Sequence, residues 1–294
     1  HFVHFLWGSL LAILGVITVF FISVWNGWVG YMPNMDELSN PIDKFASQVY
    51  SSDQQLIGTW NADNNNRVAI DYNGLSPHLV HALVATEDER FYEHSGVDFI
   101  ALGRAVVKRG VMGQASAGGG STITQQLAKQ LFSEKAHSTV ERLLQKPIEW
   151  IIAVKLERYF TKEEILAMYF NYFDFLHNAV GIKRAANVYF NKEPRKLTVT
   201  ESAMLVGLCK NPSMFNPLRH PERCLQRRNV VLMQMVKSGY VTKDEYKELS
   251  QRPLGLHFTR SKPVSGAGDY FQAFLRQYMM AKKPERENYQ TWQN

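Results

Sequence analysis

The sequence predicts a mainly α protein with a few short strands, preceded by one N-terminal transmembrane helix. Three observations carry that expectation. The run from Phe5 to Tyr31 is apolar, and none of the first 35 residues is Asp, Glu, Lys or Arg; such a run is long enough to cross a bilayer. Trp7, Trp25, Trp28 and Tyr31 lie near its ends, where aromatic side chains suit the membrane interface. Downstream, Ser138-Thr-Val-Glu141, Thr161-Lys-Glu-Glu164, Thr198-Val-Thr-Glu201 and Thr242-Lys-Asp-Glu245 all have capping-box spacing, the signature of repeated helix starts.

Taken in order, residues 1–33 form the membrane segment. A polar stretch follows from Pro33 to about Gly74, with Gln48-Val-Tyr50 and Arg67-Val-Ala-Ile-Asp71 expected as brief strands around a turn region at Asn61–Asn66. Ser76-Pro77 pairs an N-cap with proline at the first helical position. Leu79, Leu83, Glu87 and Phe91 recur at i+4 steps, placing Glu87 on an apolar stripe. Gly118-Gly-Gly120 leads to Ser121, expected to cap a helix with Ile123, Leu127 and Leu131 inside and Gln125, Gln126 and Lys129 outside. Pro147 falls within the helix starting at Ser138, so a kink or break is expected just before Glu149. Pro221 to Ser238-Gly239 delimits a helix carrying Arg227 and Arg228. From Arg252 the chain turns richer in Pro, Gly and charge and reads as a linker. The expected division is 1–33, 34–250 for a globular domain, and 251–294 for a linker toward a further C-terminal domain.

The chain has 294 residues, 45% hydrophobic and 20% charged, the balance of a folding chain rather than a disordered one. A net charge of +6 and a pI near 9.2 fit an anionic partner. Cys209 and Cys224 stand in no Cys-x-x-Cys or His/Cys cluster, which argues against a zinc site. The glycine run is neither a Walker loop nor a dinucleotide-binding turn.

Chemistry points to two carboxylates. A carboxylate on a greasy face is costly to keep charged and suits proton transfer near neutral pH. Glu87 meets that description, and Asp88, Glu89, His94 and Gly96 crowd around it. Glu149 shares a face with Ile152, Ala153 and Leu156. It reads equally as a buried ion pair with Lys146, three residues earlier. Between them, a glycine loop feeding a helix N-terminus presents backbone N–H groups to an anion, and Lys129 could extend that cradle. A base beside an anion cradle suggests chemistry on a phosphorylated substrate.

At these residues the sequence resembles the peptidoglycan glycosyltransferase domains of class A penicillin-binding proteins and monofunctional membrane transglycosylases. Glu87-Asp88-x-x-Phe91-x-x-His94-x-Gly96 and Gly120-Ser-Thr-Ile-Thr-Gln-Gln126 are similar to the first two signature motifs. Lys146-x-x-Glu149, Lys162-x-x-Ile165-x-x-x-Tyr169-x-Asn171 and Arg227-Arg228-x-x-Val231-Leu232 resemble the third, fourth and fifth. The resemblance implies a lysozyme-like fold with a small membrane-embedded subdomain, and lipid II and the growing glycan strand as substrates at the lipid bilayer. It implies catalytic roles for Glu87 and Glu149. Asp88, Phe91, His94, Gly120, Ser121, Thr122, Gln125, Gln126, Lys129, Lys146, Lys162, Tyr169, Asn171, Arg227 and Arg228 would bind substrate. It leaves room for a divalent cation, Mg or Mn, with Glu149 as candidate ligand, and for cell-wall synthesis proteins as partners, with no nucleic acid. The expected location is the bacterial inner membrane, single pass, with the catalytic domain outside. No Ser-x-x-Lys with Ser-x-Asn and Lys-Thr-Gly elements is present, which fits a class A protein cut before its transpeptidase domain. Stretches near Met112 and Phe170–Phe175 are expected to dip into lipid. Gln145 stands where the family carries Arg, with Arg142 a candidate replacement, and Asp174-Phe-Leu-His-Asn178 replaces a usual glycine. A membrane-bound lytic glycosidase and an inactive scaffold of the same fold are the alternatives.

Overall fold

A computed structural model of the chain describes residues 2–29, 32–34, 38, 47–50, 52–53, 56–60, 68–107, 120–132, 139–259, 274 and 278, with backbone alone at 47–50, 56–60, 106 and 139–143. Ten α-helices occur among these: α1 (Phe2–Trp25), α2 (Pro77–Glu87), α3 (Phe99–Val106), α4 (Ile123–Phe132), α5 (Thr139–Tyr159), α6 (Lys162–Tyr172), α7 (Ile182–Phe190), α8 (Val199–Lys210), α9 (Pro221–Lys237) and α10 (Lys243–Gln251). One antiparallel hairpin, β1 (Ser47–Tyr50) and β2 (Leu56–Trp60), lies between α1 and α2. The mainly helical expectation holds.

The capping boxes at Thr161/Glu164, Thr198/Glu201 and Thr242/Glu245 form with both reciprocal bonds in place. Each satisfies backbone donors that a helix start otherwise leaves unpaired. Ser138 lies outside the described residues, as do Asn61–Asn66, Arg67, Met112, Gly118 and Gly119. The second strand is Leu56–Trp60, not 67–71. Ile70 finds its partner elsewhere: the Asn171 side-chain amide accepts from its N–H and donates to its carbonyl, at 3.2 and 2.8 Å. One side chain thus supplies the pairing that a neighbouring strand would give. Helix α5 runs through Pro147 without a break. Ser76 begins α2 without capping it; its hydroxyl instead donates to the Leu197 carbonyl at 3.0 Å.

The core is one cluster. Helix α2 buries Leu79, Val80, Ala82, Leu83, Val84 and Ala85, packing on α8 and α9, while α4 packs on α5 and α6. Burial of this kind contributes roughly 25 cal/mol per Å² of apolar surface. The expected linker is bound to the domain as far as Thr259. The His257 and Thr259 N–H groups donate to the Tyr189 and Val188 carbonyls at 2.9 Å, and Leu254, Leu256 and Phe258 pack on the core. Helix α1 is 24 residues long with mean hydropathy 2.5 and stands almost wholly exposed. Among the described residues its end touches the rest: Val24 is buried, and the Trp25 ring lies 4.8 Å from Lys155 Nζ and 5.7 Å from the Arg158 guanidinium, both on α5.

Candidate active site

Helix α2 ends on Glu87, and its last turn aims that side chain between two other helices. Gln126 of α4 donates through Nε2 to Glu87 Oε2 at 3.1 Å. Arg227 of α9 places Nη2 3.3 Å from Glu87 Oε1. The Tyr169 hydroxyl, on α6, donates to Gln126 Oε1 at 3.0 Å. Glu87 and Arg227 keep 17% and 10% side-chain exposure, so the pair is open on one side. This corrects the expected oily setting. The i+4 stripe breaks at the helix end, where Glu87 meets an amide and a guanidinium. Burial pulls the Arg227 pKa below its ordinary value, and the Glu87 charge pushes it back up; the guanidinium stays charged. Its Nε is buried with no hydrogen-bond partner.

A second cluster forms at the start of α4. Lys146 Nζ donates to Glu149 Oε2 at 2.6 Å and to Ser121 Oγ at 3.2 Å. Glu149 is buried, while Lys146 is half exposed, so the ion-pair reading of Glu149 is the one realised. Thr122, not Ser121, takes the cap: its Oγ1 accepts from the Gln125 N–H at 3.2 Å. The N–H groups of Ile123 and Gln126 go to Asp88 Oδ2 and the Thr122 carbonyl. The helix end therefore offers fewer bare N–H groups than expected, and the positive character comes from Lys146. Gly120 sits against α3: an added Cβ would come within 3.2 Å of Leu102 Cα.

Several residues expected at the substrate belong to the scaffold. Asp88 is buried; His94 Nε2 lies 3.0 and 3.1 Å from its two carboxylate oxygens, and it anchors α4 through Ile123. Phe91 is fully buried with Lys162 Nζ 4.2 Å from its ring centre. Lys162 donates to the His94 carbonyl at 2.7 Å and to Glu157. Thr122 Oγ1 and Gln125 Nε2 both donate to the Gly96 carbonyl, at 2.6 and 3.3 Å. Asn171 holds Ile70. Arg228 is fully buried and donates to the carbonyls of Leu249, Ser250, Arg252 and Pro253 at the end of α10. Lys129 is exposed, and no described contact ties it to Glu87.

Phe170 and Phe175, expected at the lipid, are fully buried. Exposed apolar side chains cluster instead on α3 and just beyond it, at Phe99, Ile100 and Val107, with others scattered over the domain. Sequence reasoning missed them; the signal was Asp98, whose carboxylate caps the helix by accepting from Ile100 and Ala101 N–H at 2.9 Å. In the stretch that departs from the family's glycine, Leu176, His177 and Asn178 adopt φ of 66°, 53° and 61°. That left-handed run costs about 1–2 kcal/mol per residue, less at Asn. His177 Nε2 lies 3.1 Å from Asn216 Nδ2 and 3.3 Å from its Oδ1. The Arg142 side chain lies outside the described residues.

Among the described residues no group of three or more His, Cys, Asp or Glu side chains converges, and Glu149 already bonds Lys146. These side chains do not by themselves fit a divalent cation. Cys209 and Cys224 are both free and buried.

A family model described as Transglycosylase matches residues 53–236. Penicillin-binding protein 1A of Aquifex aeolicus is 37% identical over 279 residues, covering 95% of this chain and 36% of the relative. Penicillin-binding protein 1A of Escherichia coli K12 is 36% identical over 248 residues, covering 84% of this chain and 28% of the relative. The chain thus spans about a third of the length of these relatives. A crystal structure of penicillin-binding protein 1A from Haemophilus influenzae aligns with a TM-score of 0.39 at 22% identity, over 84% of this chain and 25% of that one.

Proposed function

The chain belongs to the transglycosylase family, and from that premise we propose that it is a membrane-anchored peptidoglycan glycosyltransferase, polymerising lipid II into β-1,4-linked glycan strands with inversion at the anomeric carbon. The observation that carries the reading is the Glu87 carboxylate, held by Gln126 and Arg227 and open on one side. Glu87 acts as general base: one oxygen takes the proton from the acceptor 4-hydroxyl as that oxygen attacks the donor's anomeric carbon. The bond to the undecaprenyl pyrophosphate breaks, and the diphosphate leaves with the electron pair. Such a leaving group needs positive charge rather than a proton. Lys146, held by Glu149 beside Ser121, supplies it. Arg227 keeps 10% side-chain exposure, so a diphosphate oxygen can draw it off Glu87 and free the base as the substrate arrives.

A lytic glycosidase would need a second carboxyl carrying a proton for its leaving group. Glu149, bonded at 2.6 Å to an ammonium, is poorly placed for that work. The apolar helix α1 fits an anchor in the bacterial inner membrane with the catalytic domain on the outer side, and the exposed Phe99 and Ile100 fit contact with lipid. Incubating the purified protein with labelled lipid II and reading polymer on a gel tests the proposal. Glu87→Gln should lower the rate by orders of magnitude with the fold intact; an unchanged rate removes Glu87 as the base, and a native protein without any rate favours the inactive scaffold.

A further inference from the structure

Gln126 stands between Glu87 and Tyr169, and its amide presents a different end to each. Nε2 donates to Glu87 Oε2, and Oε1 accepts from the Tyr169 hydroxyl. A carboxylate can only accept, whereas a neutral phenol carries a proton that must find an acceptor when buried. Both partners therefore favour one orientation of the amide. Turned round, it would set its carbonyl against the carboxylate.

Tyr169 is itself rigidly placed. It is fully buried, lies face to face with Phe173 at 6.1 Å and edge-on to Phe170 at 5.7 Å. With no exposed surface it has no path to a substrate, so its expected binding role does not apply. Burial, with the neighbouring Cys209 thiol and the Glu87 charge, holds its pKa well above 10, so the hydroxyl keeps its proton across any working pH. The charged and titratable groups facing Glu87 from the packed helices are Arg227 on α9, Cys209 on α8 and Tyr169 on α6.

We propose that Tyr169 is a positioning residue for the glycosyl transfer: through Gln126 it locks the Glu87 carboxylate in the rotamer that points its open face at the acceptor hydroxyl. This rests on Glu87 being the base. Without the phenol, Gln126 Oε1 loses its donor, the amide is no longer held from that side, and the carboxylate loses a fixed N–H partner.

The test is Tyr169→Phe in the full chain, in detergent, with labelled lipid II across a range of pH. The expected result is a kcat lower by about tenfold, a KM within about twofold of native, and an acid limb of the pH–rate profile moved to higher pH. A rate lowered equally at every pH would make Tyr169 merely structural and overturn the proposal, as would an unchanged profile. A second measurement does not depend on the variant folding. The Gln126 side-chain amide of the native protein, assigned in a ¹⁵N–¹H spectrum with Gln126→Met, should exchange slowly with solvent. Fast exchange there overturns the lock. A native protein that makes no polymer yet shows the slow amide refutes the proposed function and leaves the hydrogen-bond lock standing.

Discussion

Arg227 and Arg228 are adjacent, both belong to the motif that resembles the family, and the structure gives them opposite duties. Arg228→Lys separates those duties. The Arg228 guanidinium is wholly buried and reaches four backbone carbonyls and the Asn229 amide oxygen, at 2.6 to 3.3 Å. A lysine keeps the charge, but its ammonium has three donors on one atom and cannot span that fan. About two carbonyls would lose their partner, each at a cost of roughly 1–3 kcal/mol. A loss of about 3 kcal/mol lowers the thermal midpoint of a domain this size by roughly 6–12 °C. Scans at one fixed rate in detergent would read it. The same variant, assayed well below its midpoint, should polymerise lipid II at close to the native rate. Arg227→Lys should do the reverse, with a midpoint within about 3 °C of native and a rate down by at least about tenfold. If Arg228→Lys left the midpoint alone and cost as much rate as Arg227→Lys, both arginines would work on the substrate, and the assignment of Arg228 to the scaffold would be wrong.

Three further outcomes follow from described geometry. Lys146→Met strands the buried Glu149 carboxylate and should cost about 1–3 kcal/mol of stability, because Lys146 is half exposed, together with at least about a tenfold loss of kcat/KM; an active, equally stable variant would remove this cation from the leaving-group site. Gly96→Ala should fail to give folded protein in a circular dichroism melt, because φ is +89° and the new Cβ would lie 2.8 Å from the Ala153 carbonyl. Above about pH 9 the domain should lose stability. Burial pushes the Cys224 thiol from 9.0 up to about 12 and also raises Cys209 and Tyr169, so the unfolded chain ionises first. That stability is whole below the unfolded value and is lost as pH climbs toward the folded one, at about 1.4 kcal/mol per pH unit for each group. Cys224→Ala, with reductant present, should flatten the fall between about pH 9 and pH 12.

What the sequence made legible was local. The three described capping boxes depend on residues three apart and form as expected. The apolar run of α1, the stop at Ser238-Gly239 and the pairing of Lys146 with Glu149 also lie within a few residues. Which of two neighbours faces the site was not legible. Glu87 turns to Gln126 and Arg227 while Asp88 is tied to His94; Ser121 meets Lys146 while Thr122 caps α4; Gln126 meets Glu87 while Gln125 turns to Gly96; Arg227 meets Glu87 while Arg228 closes α10. Successive helical side chains point about 100° apart, so a motif written as a string joins groups that cannot share one pocket. Only the packing of α2, α4 and α9 decides between them. Ile70, read as a strand residue, had the right pattern, but its partner was the Asn171 amide, 101 residues away.

The contact of Trp25 with Lys155 and Arg158 has a mechanical corollary. The helix that receives the end of α1 is the same one that carries Lys146 and Glu149. Six residues separate Glu149 from Lys155, which is about 9 Å along the helix axis. On the proposed function, the end of the membrane helix thus packs against the rod that bears the charged cluster, and that rod gauges how far the cluster stands from the helix end.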